Sequence, residues 1–130
     1  VKKVIIFEGI NDIGAARSGS SETVARQIIE SIQGMMKKAK ARKMKVYLGT
    51  ITPFKGAGYY THFHEAARLY VNDWIRSQAK KADGILDFAK LLQDPNDDRR
   101  MKREYASSDW LHPNPAGYKA MGIYAADIVK

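Results

Sequence analysis

Two side chains near the end of the chain have the types and spacing for hydrolytic chemistry. Asp109 and His112 stand three residues apart in the stretch SDWLHPNPAGY, residues 108–118. On the approach to a helix, that spacing can place a carboxylate beside an imidazole nitrogen. The carboxylate then fixes the imidazole tautomer and stabilises the imidazolium formed when the histidine takes a proton from a nucleophile. The same spacing also fits an aspartate that opens a turn and a histidine exposed in a loop, so the pair needs company. That company is Gly9-Ile10-Asn11-Asp12, directly after the apolar run Val4–Phe7. Residues just beyond the carboxyl ends of parallel strands face one crevice. An asparagine N–H aimed at a developing oxyanion there stabilises it, by roughly 3 to 4 kcal/mol in the measured subtilisin case. Asn11 is the candidate oxyanion donor, and ordinary turn residues are the plainer reading of the same four.

The elements that must position these groups follow from periodicity. Val4–Phe7, β-branched and aromatic and ended by Gly9, reads as a strand covered on both faces. Val24, Ile28, Ile32 and Met35 share one helical face, with Ser20 or Ser21 as cap. Met44–Leu48 is a second strand, and residues 49–60, with Pro53, Gly56 and Gly58, form a loop at its carboxyl end. Thr61 caps a helix whose expected buried stripe is Phe63, Ala67, Tyr70, Val71 and Trp74, and Gly84–Phe88 supplies a third strand. Residues 93–108 are irregular, with room for a short helix. Asn114 as N-cap and Pro115 at the first helical position then open a helix carrying Tyr118, Met121, Ala125 and Ile128. Alternating strands and helices predict βαβ units, a parallel sheet and right-handed crossovers. Phe54, Tyr59, Tyr60 and Trp110 border the expected crevice and are candidates to stack against a sugar or acyl group, loop packing being the alternative.

Length and composition bound the rest. At 130 residues the chain fits a single domain, 1–130, able to bury a core without staples. The absence of cysteine excludes disulfides, thiol catalysis and cysteine-ligated zinc. No apolar run is long enough to span a bilayer, and no signal peptide is recognisable at the start. The net charge of +8 is concentrated in Lys37–Lys45, which reads as the cationic last turns of a helix. Nucleic acid is not the expected partner, because no aromatic-interleaved platform accompanies the charge. His62, His64 and Glu65 could in principle hold a metal, but residues two apart on a helix diverge, so no metal site is expected.

Together, Gly9-Ile10-Asn11-Asp12 and Asp109-Trp110-Leu111-His112 resemble two sequence blocks, Gly-x-Asn-Asp and Asp-x-x-His, of the SGNH or GDSL hydrolases. The resemblance runs in the same order through residues 4–14, 49–54, 83–88, 92–95 and 109–117, and is to bacterial secreted members of that family. It implies a flavodoxin-like three-layer α/β/α sandwich, ester hydrolysis through an acyl-serine, an ester substrate, no cofactor, and a secreted or periplasmic location. Carried over by residue, it implies that Asp109 and His112 form the relay, that Asn11 is an oxyanion donor, and that Gly9 and Asp12 shape the Asn11 loop.

The departure is equally specific. The family's nucleophile block, Gly-Asp-Ser, and the glycine block that completes the oxyanion hole both precede Gly-x-Asn-Asp, and neither is present. Ser18, Ser20, Ser21, Ser31 and Ser77 lie in or around helices, and Ser107 and Ser108 sit too close to the relay in sequence. None follows a strand on a tight turn, so this chain supplies no nucleophile. The chain therefore resembles the carboxyl-terminal, truncated part of an esterase or carbohydrate acylesterase, lacking the first strands and expected to be inactive alone. In the family strand order, 2-1-3-4-5, Val4–Phe7 would be central. Its open edge is expected to be covered by an amino-terminal segment or by a second copy of this chain. The alternative function is a non-catalytic binding or structural module that keeps the fold.

Overall fold

Three short, largely apolar runs make the sheet, their side chains alternating between its two faces. The computed structural model describes residues 2–17 and 20–130; Ser18, weighed above as a nucleophile, lies outside them. Strand β1 (Lys3–Ile6) pairs in parallel with β2 (Lys45–Gly49), Lys3 opposite Lys45 and Ile6 opposite Leu48. Strand β2 pairs in parallel with β3 (Gly84–Leu86), Tyr47 opposite Gly84, giving the order β1-β2-β3. Val46 and Leu48 face one cluster with Ile28, Ile32, Val71 and Ile75, while Tyr47 and Leu86 face another with Met121. The first is covered by α2 (Ser21–Ala41) and α3 (His62–Ser77), the second by α5 (Pro115–Ile128). The chain is a three-layer α/β/α sandwich of the flavodoxin-like kind. Ile28, Ile32, Leu48, Val71 and Ile75 are each at most 2% exposed, and burial of each such side chain contributes about 1.5–3 kcal/mol.

Gly9–Asp12 opens a short helix, α1 (Ile10–Ala15), in place of the expected loop. Gly9 makes this possible at φ 126°, where a Cβ would also come within 2.9 Å of the Ile51 side chain. Helix α2 is preceded by Ser20, whose hydroxyl donates to the Arg17 carbonyl, and the helix caps itself with no side-chain bond. Its buried face is Ala25, Ile28, Ile29, Ile32, Met36 and Ala39, with Val24 and Met35 only half-buried. The expected stripe of α3 is corrected more strongly. Ala67 and Val71 are buried, but Phe63 and Tyr70 are exposed, and His64, Glu65, Arg68 and Asn72 are buried instead.

Polar burial on α3 is possible because the groups satisfy one another and the loop beside them. Arg68 donates from Nε and Nη2 to the two Glu65 oxygens, at 2.9 and 2.7 Å, with the side chains only 4% and 8% exposed. Asn72 accepts from the Ile51 N–H at 2.7 Å and donates to the Ile51 carbonyl at 2.9 Å, standing in for a strand neighbour just beyond β2. Thr50 donates to Asp87 and accepts from the Ala89 N–H, both at 2.9 Å, which ties β2 to the start of α4 (Phe88–Leu92). The third strand accordingly ends at Leu86, with Asp87 capping α4 through the Lys90 N–H. Residues 93–108 are also more ordered than expected: β4 (Gln93–Asp94) and β5 (Asp97–Met101) form an antiparallel ribbon, followed by a 3₁₀ turn at Arg103–Tyr105.

Strand β1 departs from the expectation of two covered faces. Ile6 is buried, yet Ile5 and Phe7, on the α5 side of the sheet with Tyr47, are 46% and 44% exposed. Its far edge pairs with no strand among the described residues.

Candidate functional site

The relay turn is built by backbone closure before any side chain acts. Ala106 bridges Pro113, the Ser107 N–H donates to the His112 carbonyl at 2.9 Å, and the Ser107 hydroxyl donates to the Pro113 carbonyl. Asn114 then caps α5, accepting from the Gly117 N–H at 2.9 Å, while its amide donates back to the Glu104 and Ala106 carbonyls. The turn carrying Asp109 and His112 is thus closed at its base by one residue that also starts a helix.

Within that turn Asp109 Oδ2 and His112 Nδ1 are 2.8 Å apart, and Asp109 Oδ1 accepts the N–H groups of Leu111 and His112 at 2.9 and 3.0 Å. The aspartate both opens a turn and holds the imidazole, so the two sequence readings are one arrangement. The His112 hydrogen bond, then the N–H groups of His112 and Leu111, draw the Asp109 carboxyl down to about 2. A carboxylate on Nδ1 keeps the hydrogen there and leaves the Nε2 lone pair free to accept a proton. Both side chains are accessible, 63% for His112 and 49% for Asp109.

Trp110, between them, has a left-handed φ of 57° and lies against Gly56. A Cβ on Gly56 would come within 2.9 Å of the indole, and the Arg100 guanidinium stands 5.6 Å from the ring centre. Phe54 is fully buried in the core, stacked edgewise on Tyr59 and Tyr60, and so lies beneath this surface. Tyr59 and Trp110 are the aromatic residues left at its wall.

Asn11 is exposed in the first turn of α1, and among the described residues no hydrogen bond joins it to the relay. The link between α1 and the relay is Tyr59. Its ring lies on Gly14 of α1, where a Cβ would fall 2.2 Å from the ring. Burial, then the nearby Asp109 charge, push the Tyr59 hydroxyl upward. Buried His64 fastens the same junction, with Nδ1 against the Tyr59 carbonyl and Nε2 2.7 Å from the Ala16 carbonyl just after α1. The sequence reading missed His64 and Gly14. His64 was weighed as a metal ligand, although its place three residues after the capping Thr61 puts it on the inner turn of α3. His62 is exposed, and among the described residues no group of three His, Cys, Asp or Glu side chains is arranged to hold a metal.

Residues 1–120 match the model of the GDSL-like lipase/acylhydrolase family. The chain belongs to this family. Its fold is shared with solved family structures. A GDSL-like lipase from Bacteroides thetaiotaomicron aligns at 22% identity and TM-score 0.75, over 95% of this chain and 60% of the other. A protein assigned to the G-D-S-L lipolytic family from Desulfitobacterium hafniense aligns at 26% identity and TM-score 0.73, over 98% of this chain and 65% of the other. A member of the lipolytic G-D-S-L family from Veillonella parvula aligns at 20% identity and TM-score 0.68, over 98% and 62%. The GDSL-like chain thus spans somewhat less than two thirds of these relatives. A comparison with curated proteins gives no match.

Proposed function

We propose that the chain provides the base, its orienting carboxylate and one oxyanion donor of an ester hydrolase that works through an acyl-serine. The observation that carries this is the Asp109–His112 pair, with Nδ1 held at 2.8 Å and the imidazole open to solvent. In this reading a serine hydroxyl attacks the ester carbonyl as its proton passes to His112 Nε2. The Asn11 side-chain amide donates to the oxygen that becomes negative. Collapse of the tetrahedral intermediate breaks the ester C–O bond, and the departing alkoxide takes the proton from the imidazolium. Water, deprotonated in turn by His112, releases the acid from the serine. Tyr59, whose ring lies on Gly14 and whose hydroxyl feels the Asp109 charge, sits on the α1 side of the relay.

The serine comes, in this proposal, from an amino-terminal segment outside the chain, and that segment covers the open edge of β1. Support comes from the half-exposed Ile5 and Phe7 and from a groove of about 350 Å³ beside the edge, lined by Val4, Ile6, Met35, Ala39 and Met44. Asn11→Ala in the full-length protein is expected to lower kcat about 10²- to 10³-fold, equivalent to about 2.7–4 kcal/mol of barrier, with KM little changed. Steady-state kinetics on a chromogenic short-chain ester measure it, and a loss below about threefold would make Asn11 a helix-start residue only.

A further inference from the structure

The charge of the molecule is sorted by end. At the carboxyl end of the sheet and around the ribbon, basic side chains stand against acids: Lys55 and Arg99 on Asp97, Arg76 on Asp87, Arg100 on Asp94. At the amino end cations outnumber acids, with Asp83, whose carboxylate accepts the Val46 N–H at 2.7 Å, standing among them. Lys2 and Lys3 lead into β1, and Lys45 opens β2 beside them in register. Lys37, Lys38, Lys40, Arg42 and Lys43 occupy the last turns of α2 and the bend after it, which returns the chain to that same end. Lys40 Nζ donates to the Lys81 carbonyl, which brings Lys80 and Lys81, just ahead of β3, into the group. All ten are exposed, and among the described residues none forms an ion pair with a carboxylate.

We propose that this end of the protein docks on an anionic lipid surface. Unpaired like charges gathered on one face repel one another, and the repulsion is relieved when a counter-charged surface meets them. The chemistry of the ten decides between polyanions. Nine are lysines, compact point charges on flexible stems that suit mobile head groups; one arginine gives little of the forked geometry used on fixed phosphates. None of these positions is aromatic, so bases have nothing to stack on. Three elements, β1, α2 and β2, and the turns beside them supply the cations, so the field is spread over the end of the molecule rather than aligned along one groove. Docking in this way turns Asn11 and the Asp109–His112 turn, which lie past the opposite ends of the strands, away from the surface. Lys38 and Arg42 also line the groove beside the β1 edge, so a cover there takes these two out of the docking surface. The inference does not depend on the esterase reading.

Co-sedimentation of the full-length protein with vesicles tests it. In about 0.1 M salt the protein is expected to pellet with phosphatidylcholine vesicles containing about 30% phosphatidylserine, and not with phosphatidylcholine alone. Raising salt to about 1 M is expected to release it, since the screening length falls to about 3 Å. The fourfold variant Lys37→Gln, Lys43→Gln, Lys80→Gln, Lys81→Gln should bind at least about a hundredfold more weakly, and Lys90→Gln with Lys119→Gln, at the other end, should bind as the parent does. Circular dichroism confirms that each variant is folded. Equal binding to both vesicle types, no binding to the anionic ones, or equal loss in the two variants overturns the proposal. Retention of a duplex DNA oligonucleotide without vesicle binding overturns it in favour of nucleic acid.

Discussion

Replacing His112 by alanine in the full-length protein is expected to lower ester turnover roughly 10⁴- to 10⁶-fold while leaving the fold intact. The two halves of that statement have separate physical grounds. The imidazole is mostly exposed, and its ring contact is Asp109, so its removal opens no core cavity and orphans no buried group. The loss of rate follows from losing the base that both activates the nucleophile and protonates the leaving group. A second readout checks the same variant without substrate. Asp109 now titrates near 2, held there first by the His112 side chain and then by two backbone N–H groups. Without the imidazole its midpoint should rise toward the ordinary value of about 4, followed by carboxyl NMR chemical shifts. The sign is that of a depressed carboxylate: its contribution to stability is present above the ordinary carboxylate range and fades as pH falls toward about 2. Turnover within tenfold of the parent would remove His112 from the mechanism, whatever Asp109 did.

Arg68→Met is expected to destabilise the protein by about 3–5 kcal/mol, because it leaves the Glu65 carboxylate buried without its guanidinium. Arg68 also donates to the Ile51 and Asp98 carbonyls, at 3.3 and 3.4 Å, so the substitution loosens the loop after β2 as well. The Ile51 carbonyl keeps a partner in Asn72, which leaves the uncompensated charge as the dominant cost. Removing both charges, as Glu65→Leu with Arg68→Met, should recover most of the loss, since a buried pair replaced by apolar groups of similar size is often near neutral. Urea unfolding measures the shift in midpoint at unchanged slope. A loss below about 1 kcal/mol in the single variant would mean that water reaches Glu65 and that the pair does not hold the loop.

Much of this architecture could be read from periodicity. The strand at Val4–Phe7 came from a β-branched and aromatic run, that at Met44–Leu48 from a short run ahead of a loop, and the helix at Pro115 from an Asn-Pro start that behaves as expected. The inner face of α3 was misread because pattern reasoning assigns apolar residues inward. Phe63 and Tyr70 turn outward, and Glu65, Arg68 and Asn72 turn inward because each finds a partner that only the folded chain supplies. The ribbon at 93–101 was equally invisible, since five of its residues are charged and its pairing depends on contacts such as Lys55–Asp97. At the site, the Asp109–His112 pairing was legible because it is local. The Tyr59–Gly14 contact and the burial of His64 were not, because they join segments distant in sequence.

The central claim, that this chain supplies the base to a serine held elsewhere in the protein, is tested most directly by a fluorophosphonate serine probe. The full-length protein would be labelled and digested, and the modified residue located by mass spectrometry. One labelled serine is expected outside residues 1–130, with labelling slowed in the His112→Ala variant. Label on a serine within residues 1–130, or none while a control esterase is labelled, would contradict it; the latter would leave a GDSL-like fold used for binding.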